Sequence, residues 1–276
     1  MLPQAYTELF FKNPEYFFSL LFLTVARVLP IVAMAPFFGA KVMPIPARMG
    51  FCLCLFAILL PFIITEAAPI PWNSMLIIYV LKELLIGFIM GFLVMIPFNI
   101  IQMTGIVIDN QRGSSSLMGQ DATTGTQVST IGILYNSLLI VIFYSLNGPF
   151  IFLDALIKSY KVLPPEVFPS AQFFLDGTSA FWTGIIGIMA KVFAISSQLA
   201  APALLSILMT DAFLGIINRL APQVQISFLG QGLKAFFGDF AVYLSWFYLL
   251  EKMGRMSLDW MVVISDFITQ LGVKAA

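Results

Sequence analysis

Long apolar runs, separated by short polar or Pro- and Gly-bearing joints, dominate this chain. The strong ones are Tyr16–Gly39, Gly50–Ile64, Met75–Ile101, Val128–Leu146 and Ala180–Met209, and weaker ones follow at Phe236–Leu250 and Leu258–Ile268. Several reach the roughly 20 apolar residues that a helix needs to cross a hydrocarbon core. None alternates as a barrel strand must, and backbone in lipid has to satisfy its own polar groups, so these runs predict helices. The prolines predict interruptions. Pro30 and Pro36 fall in the first run, Pro61 ends the second, and Pro97 and Pro202 lie late in the third and fifth. Each removes a backbone donor and kinks or stops a helix. The fifth run is long enough to predict a hairpin of two shorter helices folding at Ser196–Pro202. The expected fold is all-α, built of broken helices and helical hairpins in a single domain over 1–276. A central polar loop is expected at 102–130, and 251–276 reads as either a docked helix or a tail.

Charge inside the apolar runs changes the picture from plain lipid-facing spans. Arg27, Lys82, Glu83 and Lys191 each lie within such a run. At mid-bilayer each would cost about 2.5–3.5 kcal/mol, so a partner or a wet cavity is expected, or snorkelling near a helix end for Arg27 and Lys191. Lys82 and Glu83 are adjacent and project to different sides of a helix, so their partners are expected elsewhere. Basic residues recur in successive connections: Lys41 and Arg48, then Arg112, Lys158 and Lys161, Arg219 and Lys234, and Lys252 and Arg255. The loop asymmetry that orients an ordinary multi-span bundle is therefore not legible. Gly87 and Gly91 form a G-x-x-x-G pair that lets helices approach closely.

Composition sharpens the class. Hydrophobic residues make up 60% of the chain and charged ones 10%, against about 25% charged in soluble domains. Basic and acidic residues balance at 14 each, which argues against nucleic acid as a partner because phosphate binding needs clustered cations. Glu8 and Glu15 precede the first apolar run where a cleavable signal would carry basic residues, so that run reads as retained. Cys52 and Cys54 read as two small buried side chains that cannot bridge within one helix.

The segment 102–130, QMTGIVIDNQRGSSSLMGQDATTGTQVST, departs from everything around it. Its glycines permit tight turns, and a long loop in a compact chain is usually functional or disordered. Interspersed Ile, Val, Leu and Met favour a shaped loop lining or filling an aqueous passage over a solvated connection on one membrane face. A second polar region, Asp211–Lys234, should break at Ala221–Pro222. There Arg219 can fork two hydrogen bonds to fix a helix junction.

Chemistry is sparse. The chain has no histidine, which removes the commonest general base and metal ligand. No phosphate loop, nucleophile elbow, zinc motif or dinucleotide fingerprint occurs. No enzyme, cofactor or metal site is expected. An integral subunit around a wet passage and a small-solute secondary transporter with broken helices both fit, and an intramembrane enzyme is a third reading.

Several blocks in order decide between these. ARVLPIVAMAPFFGAKVMPIPARMG carries Arg27, Pro36 and Arg48; KELLIGFIMGFL carries Lys82, Glu83, Gly87 and Gly91; GIVIDNQRG carries Asp109, Gln111, Arg112 and Gly113. SYKVLP at Ser159–Pro164 and DAFLGIINRLAPQ at Asp211–Gln223 follow, then Gly232 and Lys234. In this order the chain resembles the SctT/FliR family, the export-apparatus subunit of injectisomes and flagella, from about residue 16 to residue 250. The form DNQRG is nearer the injectisome branch.

The resemblance implies a fold like an SctR subunit fused to an SctS subunit. It also implies a place in a helical spiral around a pore in the bacterial inner membrane, raised toward the periplasm. It implies a structural and gating role at the entry pore for unfolded secreted proteins. Partners would be SctR-like and SctS-like subunits, with SctU-like and SctV-like components. The family's pore-plugging loop corresponds to Ile106–Gly125, which makes Asp109, Gln111, Arg112, Gly113, Ser114, Ser115, Ser116 and Gly119 the candidate plug and gating residues. Arg27, Arg48, Lys82, Glu83, Gly87, Gly91, Arg219, Pro222, Gln223 and Lys234 are the candidates for subunit or helix packing.

Overall fold

The computed structural model describes residues 13–38, 43–66, 72–113, 129–169, 180–221 and 226–273. Among these the chain is all-helical. The helices are α1 (Pro14–Met34), α2 (Ile45–Glu66), α3 (Met75–Gln111), α4 (Thr130–Ser145), α5 (Gly148–Val162), α6 (Ala180–Leu220), α7 (Ile226–Leu244) and α8 (Trp246–Val273), with a short 3-10 turn at Pro36–Phe38. Four of them (α1, α2, α3 and α6) are long and apolar enough to cross a membrane. The count rises to as many as six spans if α4–α5 and α7–α8 each act as one bent span.

Proline interrupts less than the sequence suggests. Pro30, Pro61, Pro97 and Pro202 all lie inside continuous helices. The second run does not end at Pro61, and the hairpin expected at Ser196–Pro202 is instead one helix of 41 residues. The physical reason is local. The stretch Ser196–Ser206 has no Gly, Asn or Asp to build a reversal, and turning there would leave more backbone N–H and C=O groups unpaired than the single bond a proline removes. At Pro97 the structure also shows how the loss is met. Proline's missing N–H frees the carbonyl of Leu93 one turn earlier, and the buried Trp260 indole donates to that oxygen at 3.0 Å.

Other boundaries shift as well. α3 runs on through Gln102–Gln111, so the first third of the expected central loop is helix. α5 fills a stretch with no strong apolar run, and α4 and α5 meet at Asn147, whose φ of 58° is a left-handed value that Asn tolerates. The C-terminal stretch after Glu251 is helical as far as Val273. Cys52 is buried, but Cys54 is exposed: two residues along a helix face different sides, and only one side meets protein.

The described residues form two compact units, divided in the chain at Pro97, Leu146, Ile185 and Leu258. In the first unit α1 lies against α3 at Gly87 and Gly91: a Cβ at Gly87 would overlap the Arg27 carbonyl, and one at Gly91 would sit 3.1 Å from Ile31 Cα. Phe17 of α1 meets Phe56 of α2 edge-on at 5.7 Å. In the second unit α3 and α4 touch backbone to backbone at Gly105 and Gly132, with Phe98 against Phe143 at 5.8 Å. Thr104 Oγ donates to the Ser196 carbonyl of α6 at 3.3 Å. The outer face of α6 remains apolar and exposed at Leu205, Leu208, Met209, Phe213 and Ile216, as lipid or further polypeptide requires.

Candidate functional site

Among the described residues two polar clusters interrupt the apolar interior, one in each unit. The second unit's cluster forms where α3 ends and α4 begins. Gly113, at φ 77°, closes α3 with its N–H on the Asn110 carbonyl at 3.2 Å. Its left-handed backbone favours glycine. One turn back, buried Asp109 reaches across to α4. One carboxylate oxygen accepts the Ser129 hydroxyl at 2.6 Å and the Ile131 N–H at 3.2 Å. Ser129 is the N-cap of α4, its Oγ accepting from Gly132 N–H at 2.8 Å. A capping hydroxyl and a carboxylate together satisfy amides that a helix start leaves without partners, and the negative charge suits the positive end of the helix dipole. The Gly105–Gly132 contact makes this possible, because only two helices lacking side chains at the crossing come close enough.

Arg112 completes the cluster as a bridge. One terminal nitrogen binds Asp109 and the other binds Asp239 on α7. The flanks of segment 114–128 are thus held at one carboxylate: Arg112 on one side, Ser129 on the other.

The first unit's cluster sits at the far end of α5. Arg27 makes a two-pronged pair with Glu83. It also donates to Ser159 Oγ at 3.1 Å and to the Leu163 carbonyl at 2.9 Å, and it lies 4.0 Å over the Tyr160 ring. Lys82 shares Glu83 at 2.7 Å and donates to the carbonyls of Pro164, Pro165 and Val167 at 3.3, 2.6 and 3.1 Å. Helix C-termini present unpaired carbonyls and negative dipole charge, so two cations there are well placed. Glu83 between them balances one charge. Arg27 is fully buried and so does not snorkel, whereas Lys191 is exposed. Lys82 and Glu83 were expected to face apart. They do find their main partners on other elements, but both side chains bend toward the α5 terminus and pair with each other as well.

A family model for bacterial export proteins, family 1, matches residues 18–259. The chain belongs to this family. Relatives include the secretion system apparatus protein SsaT of Salmonella typhimurium, 29% identical over 67% of this chain and 69% of that protein. The surface presentation of antigens protein SpaR of the same organism is 28% identical over 72% of each chain. The flagellar biosynthetic protein FliR of Bacillus subtilis is 27% identical over 79% of this chain and 82% of its own length. The SctT/FliR resemblance read from the sequence blocks is therefore correct. As a bacterial export protein with four to six apolar spans, the chain is a multi-pass inner-membrane protein. It is a component of a complex with other secretion-apparatus subunits.

Of the candidate residues of this export protein, the structure brings Asp109 to Arg112, and Arg27 to Glu83 and Lys82, with Gly87 and Gly91 at the α1 crossing. Lys234 pairs with Asp211 on α6, and Arg48 Nε donates to the Met43 carbonyl at 3.0 Å. Gln111 and Arg219 are exposed near the ends of α3 and α6 and join neither cluster. Ser114, Ser115, Ser116, Gly119, Pro222 and Gln223 lie outside the described residues. Sequence reasoning missed Ser129, Asp239, Ser159, Tyr160 and Trp260. Ser129 before an apolar run is a readable N-cap, and Asp239 is a lone carboxylate in an apolar run. Nothing local marks Tyr160 or Trp260.

Proposed function

We propose that this export protein is a structural and gating subunit of the type III secretion export gate. With SctR-like and SctS-like subunits, and SctU-like and SctV-like components nearby, it forms the entry pore for unfolded proteins in transit, raised toward the periplasm. The polar segment after Gly113 closes that pore at rest. The observation that carries the reading is the Asp109 junction, where the flanks of segment 114–128 meet at one buried carboxylate. Such an anchor suits a loop that must hold a fixed place against a pressure or voltage difference. The relatives' names, a secretion system apparatus protein and a flagellar biosynthetic protein, point to the same class of machine.

The test is conductance of the purified, assembled complex in a planar bilayer. Deleting Gly113–Gly119 is expected to turn a closed complex into one that passes ions at rest, with subunit composition unchanged. A normally assembled deletion complex that stays closed would refute the gating role.

A further inference from the structure

The Asp109 junction has one member that is exposed on this chain. The Asp239 side chain is 57% exposed, while those of Arg112 and Asp109 are 14% and 1% exposed. Arg112 meets each carboxylate through a different terminal nitrogen, and its Nε has no partner among the described residues. A planar guanidinium held by single contacts at two points keeps its orientation only while both remain. With Asp239 gone, nothing else among these contacts fixes the fork over Asp109.

α7 is itself fastened. Lys234 pairs with Asp211 of α6, and Ser206 of α6 donates to the Phe237 carbonyl of α7 at 3.0 Å. Gly238, beside Asp239, leaves room for Arg112: a Cβ there would stand 3.3 Å from Arg112 Cδ and 3.1 Å from Ile207 Cδ1 of α6. Gly113 faces α7 too, with Gln231 Cγ 3.8 Å from where its Cβ would be. The end of α3 therefore rests along α7, and α7 rests on α6.

We infer that Asp239 is a positioning residue: it aims Arg112 at Asp109 and so makes α7 the element that sets how firmly the α3–α4 junction is held. Displacing α7, or offering Asp239 another cation, loosens the Ser129–Gly132 start of α4. The consequence for the pore rests on the gating role proposed above, but the mechanical link does not.

The experiment is amide hydrogen exchange on the assembled complex carrying Asp239→Asn, read over residues 130–133, with bilayer conductance measured in parallel. The pair is partly exposed, so the expected effect is modest, about two- to fivefold faster exchange at those amides. Exchange across Ile226–Gly238 should stay unchanged, and Asp239→Glu should restore the parent rate. A general weakening of α7 would instead raise exchange along α7 itself, and that pattern overturns the inference. Unchanged exchange at 130–133 overturns it as well. Faster exchange with a closed pore would leave Asp239 as the positioning residue and count against the gating role alone.

Discussion

Glu83→Gln is expected to destabilise the protein by about 3–5 kcal/mol, the usual cost of removing one partner from a buried ion pair. Glu83 is fully buried and is the carboxylate that both Arg27 and Lys82 contact. Glutamine keeps the shape and the hydrogen-bonding reach but takes the countercharge from fully buried Arg27. Against a typical total stability of about 5–15 kcal/mol, that loss should show as low recovery of folded protein and a clearly lower melting temperature of the purified complex. The companion variant is the double change Arg27→Met with Glu83→Met. Removing both halves of the pair is expected to be milder than Glu83→Gln, because Lys82 retains its three carbonyls. A melting temperature for Glu83→Gln equal to the parent's would mean that Glu83 carries no structural charge.

Gly105→Val should be comparably severe, by a steric route. A Cβ at Gly105 would overlap Gly132 N and Cα and the Ile131 carbonyl carbon, all backbone atoms that cannot swing aside. Overpacking of this kind costs about 1–3 kcal/mol when side chains can adjust, and more when they cannot. The helices must separate, and Asp109 then loses reach to Ser129 and Ile131. The expected result is a low-yield protein whose residues 130–133 exchange freely even in the fraction that assembles. Parent-like exchange and stability would show that α3 and α4 do not cross at these glycines. Gly215, where a Cβ meets open space, provides the control: Gly215→Val should cost far less.

These two sites illustrate what was legible in the sequence and what was not. The helical class followed from apolar run length, and Arg27, Lys82 and Glu83 stood out because charge in an apolar run demands a partner. Which partner was beyond reach. Arg27 and Ser159 are brought together by tertiary packing of α1 against the end of α5, and α5 itself lacks the sustained apolar run that marked the other helices. Proline misled in the opposite direction. Reading Pro61 and Pro202 as stops weighed only the one bond that proline removes, and left out the several more that a break would leave unpaired in an apolar surrounding. At the second cluster, Asp109 and Arg112 were visible as the polar residues of GIVIDNQRG, but Asp239 lies 127 residues beyond Arg112. Only the fold could supply it.

The indole of Trp260 stands in for an amide that Pro97 lacks. That makes the two positions epistatic, although they lie on different helices. Trp260→Phe should be harmful in the parent, where it leaves the Leu93 carbonyl bare. The same change should be nearly silent in a Pro97→Ala background, where the chain supplies its own donor. A double-mutant cycle on melting temperature would read the coupling directly, and strict additivity would contradict it. A lineage could therefore lose the proline first and the tryptophan afterwards at little cost, but the reverse order passes through a damaged intermediate.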